Sequence, residues 1–386
     1  MSNTHQATNQ LRQRIAVSVF FFIHGTSFAT WTSRIPDIKQ TLSLNDAEIG
    51  MVLLVMPFSS LLGLFLAGWL NRNFDNKPPL VVAMLIQCSA LVGIGLSSTV
   101  VQLAASLFCL SLAFRIGGIA MNTQAVLLQK LFTKPINGSF HAMWSVGGII
   151  GVGLTTLLIN FSIPMEVHLI GACIGLSMVI VVTFNFLPTG DKATAGSRIR
   201  FGKPDKSLVL LGMIIMCASF CEGGMFDWSG IYFKEVIHTD IYTVGYFTFM
   251  ICMALSRWFM DKVVTRVGKS GLYFFSSTLI VSGIALTTLF PYIYPAMIGF
   301  SLVGIGTAAV VPTTFILAGE SRKYSPGMAI SIVSTYGILG MLIGPPVIGF
   351  LSHAYGMKLA FIFIAAMGLC IVLVSKLYFN ANHPRT

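Results

Sequence analysis

The sequence predicts an all-α membrane protein of twelve transmembrane helices, arranged as two pseudo-symmetric six-helix bundles with both termini cytoplasmic. Three observations predict this class: the composition, the recurrence of long apolar segments, and the placement of the basic residues. The 386 residues are 55% hydrophobic and 10% charged, with a mean hydropathy of +0.82. A soluble domain carries about 25% charged residues, so this chain lacks the polar side chains to cover itself in water. Its apolar stretches run to about 18 residues or more, enough to cross a hydrocarbon core of about 30 Å. No water reaches that depth to satisfy an open sheet edge, so the spans must be helices.

The first span, 15–37, follows a polar stretch and lacks the small-residue cleavage pattern of a secretory signal, so it is read as a retained helix. The spans that follow are 48–70, 79–97, 100–129, 139–160 and 166–187. Then come 207–233, 242–261, 270–290, 292–318, 327–352 and 357–379. Short breaks containing glycine, proline or lysine separate them. The longest later polar stretch, PTGDKATAGSRIRFGKPDKS, divides the chain near its middle and reads as a flexible cytoplasmic linker. The expected domains are a bundle over 1–187, a linker over 188–206 and a bundle over 207–386.

A net charge of +11 suggests nucleic acid at first sight, but its distribution argues otherwise. Of the 24 Lys and Arg residues, only Lys39, Lys234 and Lys358 fall in external loops and Arg34, Arg115 and Arg257 within spans; the rest lie on the cytoplasmic side. That asymmetry follows the positive-inside rule, so the basic balance reports topology and no nucleic-acid partner is expected. The seven cysteines all fall inside spans and act as small apolar residues. They lack the spacing of a zinc site.

The halves echo each other. GSFHAMWSVGGIIG (138–151) and GMAISIVSTYGILG (327–340) share Gly138, Ser145, Gly148 and Gly151 with Gly327, Ser334, Gly337 and Gly340. A fainter echo sets HGTSFATW (24–31) against EGGMFDW (222–228), which pairs His24 with Glu222. Repeated six-helix units point to a transporter whose site lies at the repeat interface, near the membrane midplane.

Several segments carry a family resemblance: IPDIKQTLSLNDAEIG after the first span, AMNTQA in the fourth and SFHAMWSVGGIIG in the fifth. EGGMFDWSGIY in the seventh, SRWFMDKVVTRVGK after the eighth and GPPVIGFL in the eleventh complete the set. In these the chain resembles the major facilitator superfamily (MFS), and within it the YbjJ-like branch near the fucose permeases. The resemblance implies that spans 1, 4, 7 and 10 line a central cavity and that the loops after spans two and eight clamp a cytoplasmic gate. The first of those loops departs from the family pattern. It reads GWLNRNFDNK, with Arg72 near the usual acid position, whereas Asp261, Lys262, Arg266 and Gly268 are kept in the second. Fucose permeases carry an acid in span four where this chain has Gly118, which moves the expected proton site to span seven.

Glu222 is the first candidate. A carboxylate costs a few kcal/mol in hydrocarbon, and a protonated acid is far easier to move through an occluded cavity. Gly223 and Gly224 beside it can loosen the helix and form a hinge. Asp227 lies nearer the outer end, about 140° around an ideal helix from Glu222, and is read as a substrate or outer-gate contact. Trp228 is read either as a site residue or as an interfacial belt residue. Arg115 cannot shed its proton and must find an anion: Glu222, Asp227 or an anionic substrate. Its R-x-x-G setting resembles the span-four pattern of proton-driven exporters. Asn122 and Gln124 serve equally as substrate ligands or helix glue, and only one can face the cavity, with Asn122 favoured. His24 is read as proton relay or satisfied core residue. His141 and Trp144 share a face, for ligand stacking or helix packing. Arg257, Asp261 and Lys262 are read as gate or packing elements.

The expected activity is secondary active transport of a small polar organic solute, sugar-like or an organic ion, by alternating access with proton coupling. A proton-driven exporter of drugs or metabolites and a transport-inactive sensor are the alternatives. No enzyme is expected, since the histidines are scattered and no H-E-x-x-H occurs. No cofactor or metal is expected, with a proton gradient as energy source. The expected partners are a small-molecule substrate and the lipid bilayer, for a monomer in a bacterial inner membrane.

Overall fold

The computed structural model describes residues 2–133, 136–189, 205–257, 259–321, 323–324 and 326–382. The described residues form fifteen α-helices and one 3-10 turn, Phe184–Phe186, and the chain divides into two compact units. The first unit comprises Met1–Ser43 and Val55–Ser197. It contains α1 (Ser2–Thr32), α2 (Ile35–Thr41), α4 (Val55–Asn73), α5 (Lys77–Gly95), α6 (Val100–Gln129), α7 (Asn137–Asn160) and α8 (Met165–Thr183). The second comprises Leu44–Leu54 and Arg198–Thr386. It contains α3 (Asp46–Leu53), α9 (Lys206–Glu235), α10 (Val244–Arg257), α11 (Met260–Leu289), α12 (Ile293–Thr307), α13 (Val310–Gly319), α14 (Pro326–Tyr355) and α15 (Met357–Asn382).

Helix starts follow local chemistry. Thr99 accepts a hydrogen bond from the Gln102 amide to cap α6, and Asp205 accepts one from Leu208 to cap α9. Asn45 and Glu48 form a reciprocal capping box at α3. Among the described residues, eleven stretches are long and apolar enough to cross a membrane. The expected eighth span, 242–261, departs from this. Its helix α10 has 14 residues, about 21 Å at the helical rise, and the span's remainder crosses Trp258, outside the described residues.

Three expected spans are interrupted. The first stops at Thr32 and resumes at Ile35, with Pro36 in the opening turn of α2. The second breaks at Leu54 into α3 and α4, and the tenth breaks at Ala308–Ala309 into α12 and α13. α9 runs through Gly223 and Gly224 without interruption, so Glu222 and Asp227 do not share a face. Gly224 is needed for packing, since a Cβ there would lie 2.8 Å from Ile348 Cδ1 and 3.0 Å from Ile364 Cδ1. The sharp turn after span eight falls at Gly268, whose φ of 72° only glycine adopts without cost.

The glycine echo has a steric cause. In the first unit α1 packs along α7, and a Cβ on Gly151 would lie 2.8 Å from the Thr26 carbonyl oxygen. In the second unit α9 packs along α14, and a Cβ on the matching Gly340 would overlap the Met216 carbonyl oxygen. Lipid tails offer no hydrophobic drive for helix pairing, so close backbone approach through small residues replaces it.

The helix α3, read from sequence as the start of a first-bundle span, packs on α14 within the second unit. Gly50 and Gly349 meet at this crossing, Ser352 donates a hydrogen bond to Asp46, and the Trp228 ring borders Gly349.

Candidate transport site

In the first unit the candidate groups gather on α1 and α6. Phe114, Arg115, Gly118 and Asn122 fall within about 100° of one face of α6. His24 on α1 lies against it, its ring stacked on Phe114 with centroids 3.6 Å apart. His24 is 4% exposed and belongs to a closed circuit. Its Nδ1 lies 3.1 Å from Gln87 Oε1, Gln87 Nε2 donates to Ser27 Oγ, and Ser27 Oγ donates to the His24 carbonyl at 3.3 Å. Within that circuit Nδ1 is the donor to the Gln87 oxygen.

The fate of Gly118 follows from this packing. A Cβ at Gly118 would lie 3.5 Å from His24 Nε2. A side chain at position 118 would therefore start in van der Waals contact with the His24 ring.

Arg115 sits halfway along α6. Its Nε donates to Ser60 Oγ at 2.7 Å, and its charge acts on His24. Among the described residues that hydrogen bond is the guanidinium's only one, and no carboxylate pairs with it. An arginine at the bilayer centre costs about 2.5–3.5 kcal/mol on insertion scales, so this one stands in an unbalanced field. Asn122 is exposed, with Nδ2 donating to the Gly118 carbonyl at 2.8 Å. Gln124 is buried and donates to the Pro188 carbonyl at 3.1 Å. Of the two, only Asn122 is exposed.

On α7, His141 is exposed and edge-on to Phe21 at 5.3 Å. Trp144 is half-buried and 6.2 Å from Phe28, which lies 5.6 Å from Phe114. The Trp144 carbonyl is also where Gly25 crosses, so this residue serves packing through its backbone and leaves its ring partly open.

In the second unit, Glu222 and Asp227 are both half-buried on α9. Among the described residues neither makes a hydrogen bond or ion pair. Arg257, at the end of α10, is exposed. The Arg257–Asp261 pairing involves a side chain outside the described residues. Lys262 is exposed. Gly223 has open space where a Cβ would be, next to the acid. Trp228 is fully buried, so it is not the lipid-interface belt residue that one reading expected. Arg72 is exposed and donates to its own helix at the Gly68 carbonyl, 3.1 Å away.

Sequence reasoning missed Gln87, Ser27 and Ser60. It also missed a buried cluster at Arg34, which donates to Asp37 at 2.7 Å, to His168 Nδ1 at 3.2 Å and to the Ile163 carbonyl at 3.2 Å. The i, i+3 spacing of Arg34 and Asp37 was the available signal.

An all-helical chain with span-length apolar helices, carrying ionisable side chains at mid-helix, belongs to the multi-pass membrane proteins. Comparison with known proteins gives the class. The model for the Major Facilitator Superfamily matches residues 16–323. An uncharacterised MFS-type transporter of Yersinia pestis is 28% identical, covering 96% of this chain and 98% of its own length. A cis,cis-muconate transport protein of Acinetobacter baylyi is 25% identical over 91% of this chain and 90% of its own. The crystal structure of the nucleoside transporter NupG matches with a TM-score of 0.76, covering 96% of this chain and 99% of that one at 14% identity. The chain belongs to the Major Facilitator Superfamily: it is a multi-pass membrane transporter of a small-molecule substrate, not an enzyme.

Proposed function

We propose that this protein is a proton-coupled secondary transporter of a small polar organic solute, working by alternating access. The observation that carries the reading is Glu222. It lies on a span-length helix, half-buried and without a hydrogen-bond partner among the described residues. Such a carboxyl can take up a proton and give it back when the surroundings change. Asp227 then serves as a substrate or outer-gate contact. In this reading α10 belongs to the eighth of twelve spans, both termini face the cytoplasm, and the monomer resides in a bacterial inner membrane. The proton gradient supplies the energy, with no resident cofactor and no nucleic-acid partner.

The test is uptake into proteoliposomes under an imposed pH gradient. Cis,cis-muconate and uridine are the first solutes, chosen from the named relatives, followed by sugars and further organic acids. Glu222→Gln should abolish gradient-driven accumulation while leaving solute exchange without a gradient. Undiminished accumulation by the variant would remove Glu222 as the proton site.

The Arg115-Ile-Gly-Gly118 pattern favours a second reading, a proton-driven exporter. Cells lacking the protein should then become sensitive to a toxic compound, and a broad screen without such a change counts against export.

A further inference from the structure

Arg34 stands at the corner between α1 and α2. Its side chain is buried and joins three separate parts of the first unit. Nη1 donates to Asp37 on α2, Nη2 to the Ile163 carbonyl in the turn between α7 and α8, and Nε to His168 Nδ1 on α8. The turn it holds is itself strained, since Ser162 has a φ of 56° without being a glycine.

Because Nδ1 accepts from Arg34, the imidazole is neutral and its proton lies on Nε2. That Nε2–H is buried and has no hydrogen-bond partner among the described residues. A carboxylate at position 168 would simply pair with the guanidinium. Histidine leaves a donor unmet there, and what it adds is an acceptor that a single proton converts into a donor. With a proton on Nδ1, two N–H groups and two positive charges would face each other across the present 3.2 Å. The other ionisable groups nearby do not replace that bond. Asp37 already pairs with Arg34 at 2.7 Å. Glu166 lies on α8 itself, where Gly95 of α5 packs on its backbone. Lys39 is on α2. From α1 comes His24, stacked on Phe114. From α5 come Cys88, in one cluster with Cys173, and Lys77, over the Phe184 ring.

We propose that Arg34 and His168 form an acid-sensitive pin at this corner of the first unit. With His168 neutral, the pin is closed and ties α2 to the α7–α8 turn. With His168 protonated, the bond to Arg34 is lost, Ser162 relaxes, and the α1–α2 corner becomes mobile. With both termini cytoplasmic, this corner faces the outer medium, so the pin answers to external acidity. Only that last step rests on the transporter reading, and the pin does not depend on which residue carries the transported proton.

The experiment is hydrogen exchange of the full chain in lipid nanodiscs, where buffer reaches both faces. The pH runs from about 8 to about 4, which spans the ordinary titration of histidine and of Asp37 and Glu166. Rates are corrected for the chemical dependence of exchange on pH. On acidification, wild-type segments 33–43 and 159–168 should lose protection by roughly tenfold or more, the scale of a lost hydrogen bond to a charged group. Segments of α5 and α6 serve as the internal reference and should hold. His168→Gln should stay protected throughout, because an amide oxygen accepts from Nε without titrating in this range. Arg34→Gln should be unprotected at every pH. Nitrogen NMR of isotope-labelled histidine checks the tautomer without any substitution, and at neutral pH the His168 Nδ1 should carry no proton. Unchanged protection of both segments in the wild type, a His168→Gln protein that loosens as the wild type does, a loss spread equally over α5 and α6, or a proton on Nδ1 at neutral pH would overturn the proposal.

Discussion

His24 in the first unit and Glu222 in the second hold echoing positions, yet their surroundings differ. His24 is buried, stacked on Phe114 and wired through Gln87 and Ser27 into a closed circuit. Glu222 is half-buried, and among the described residues it makes no hydrogen bond. A group that cycles between two protonation states must not be held too firmly in either. The circuit holds His24 in one arrangement, whereas Glu222 retains freedom. In the proposed mechanism, one of the two echoing positions has a structural task and the other carries the proton.

The strongest way to break this comparison is to swap the demands on the two residues. Glu222→Gln should reduce pH-gradient-driven uptake at least tenfold, whereas His24→Gln should leave gradient dependence in place and lower stability instead. A His24→Gln protein that loses coupling as completely as Glu222→Gln would show that the first unit carries the proton. Next in size are the crossing glycines. Gly340→Val in the second unit drives a branched side chain into the Met216 carbonyl, and Gly151→Val does the same at Thr26. Overpacking of this kind costs about 1–3 kcal/mol or more, read as a lower melting temperature and lower folded yield for both. Gln87→Leu opens the His24 circuit and strands Ser27 and the imidazole, at about 1–3 kcal/mol. It should lower stability while Glu222-dependent coupling survives.

How much of this was legible in the sequence follows from which forces act on each residue. The spans could be read because hydrocarbon forces every backbone group into a helix and leaves only length and composition to count. Glu222 and Arg115 stood out for the same reason, as charges in apolar runs. The breaks at Leu54 and Ala308–Ala309 also had a sequence signal that was not read: Pro57 and Pro312 lie a turn further on, and a proline removes the hydrogen bond to the carbonyl four residues back. The placement of α3 with the second unit is a tertiary choice, made through Gly50, Gly349 and Asp46. The Gly223–Gly224 pair was read for its local flexibility, and the packing of Gly224 against Ile348 and Ile364 was not visible in the sequence. Gln87 is the sole amide within α5, and that lone polar group could have flagged the His24 circuit.

The smallest expected effect belongs to Asp227, and it is the sharpest check on the comparison. Asp227 and Glu222 share α9, half-burial and the lack of a described hydrogen-bond partner. On composition alone they are equivalent. They differ in direction, since an unbroken helix turns Asp227 about 140° away from Glu222, and in chain neighbours, since Asp227 precedes Trp228, which is buried beside Gly349 at the α3 crossing. Asp227→Asn should therefore raise the solute concentration needed for half-maximal uptake by roughly threefold, the effect of about 0.7 kcal/mol, and leave the dependence on the pH gradient unchanged. The check is a pair of uptake curves, with and without the gradient, for each single variant and the double variant. Additive effects would place the two acids at separate tasks. A double variant no worse than Glu222→Gln alone, together with loss of coupling in Asp227→Asn, would make the acids one unit and shift the contrast between the two halves from a single residue to the whole of α9.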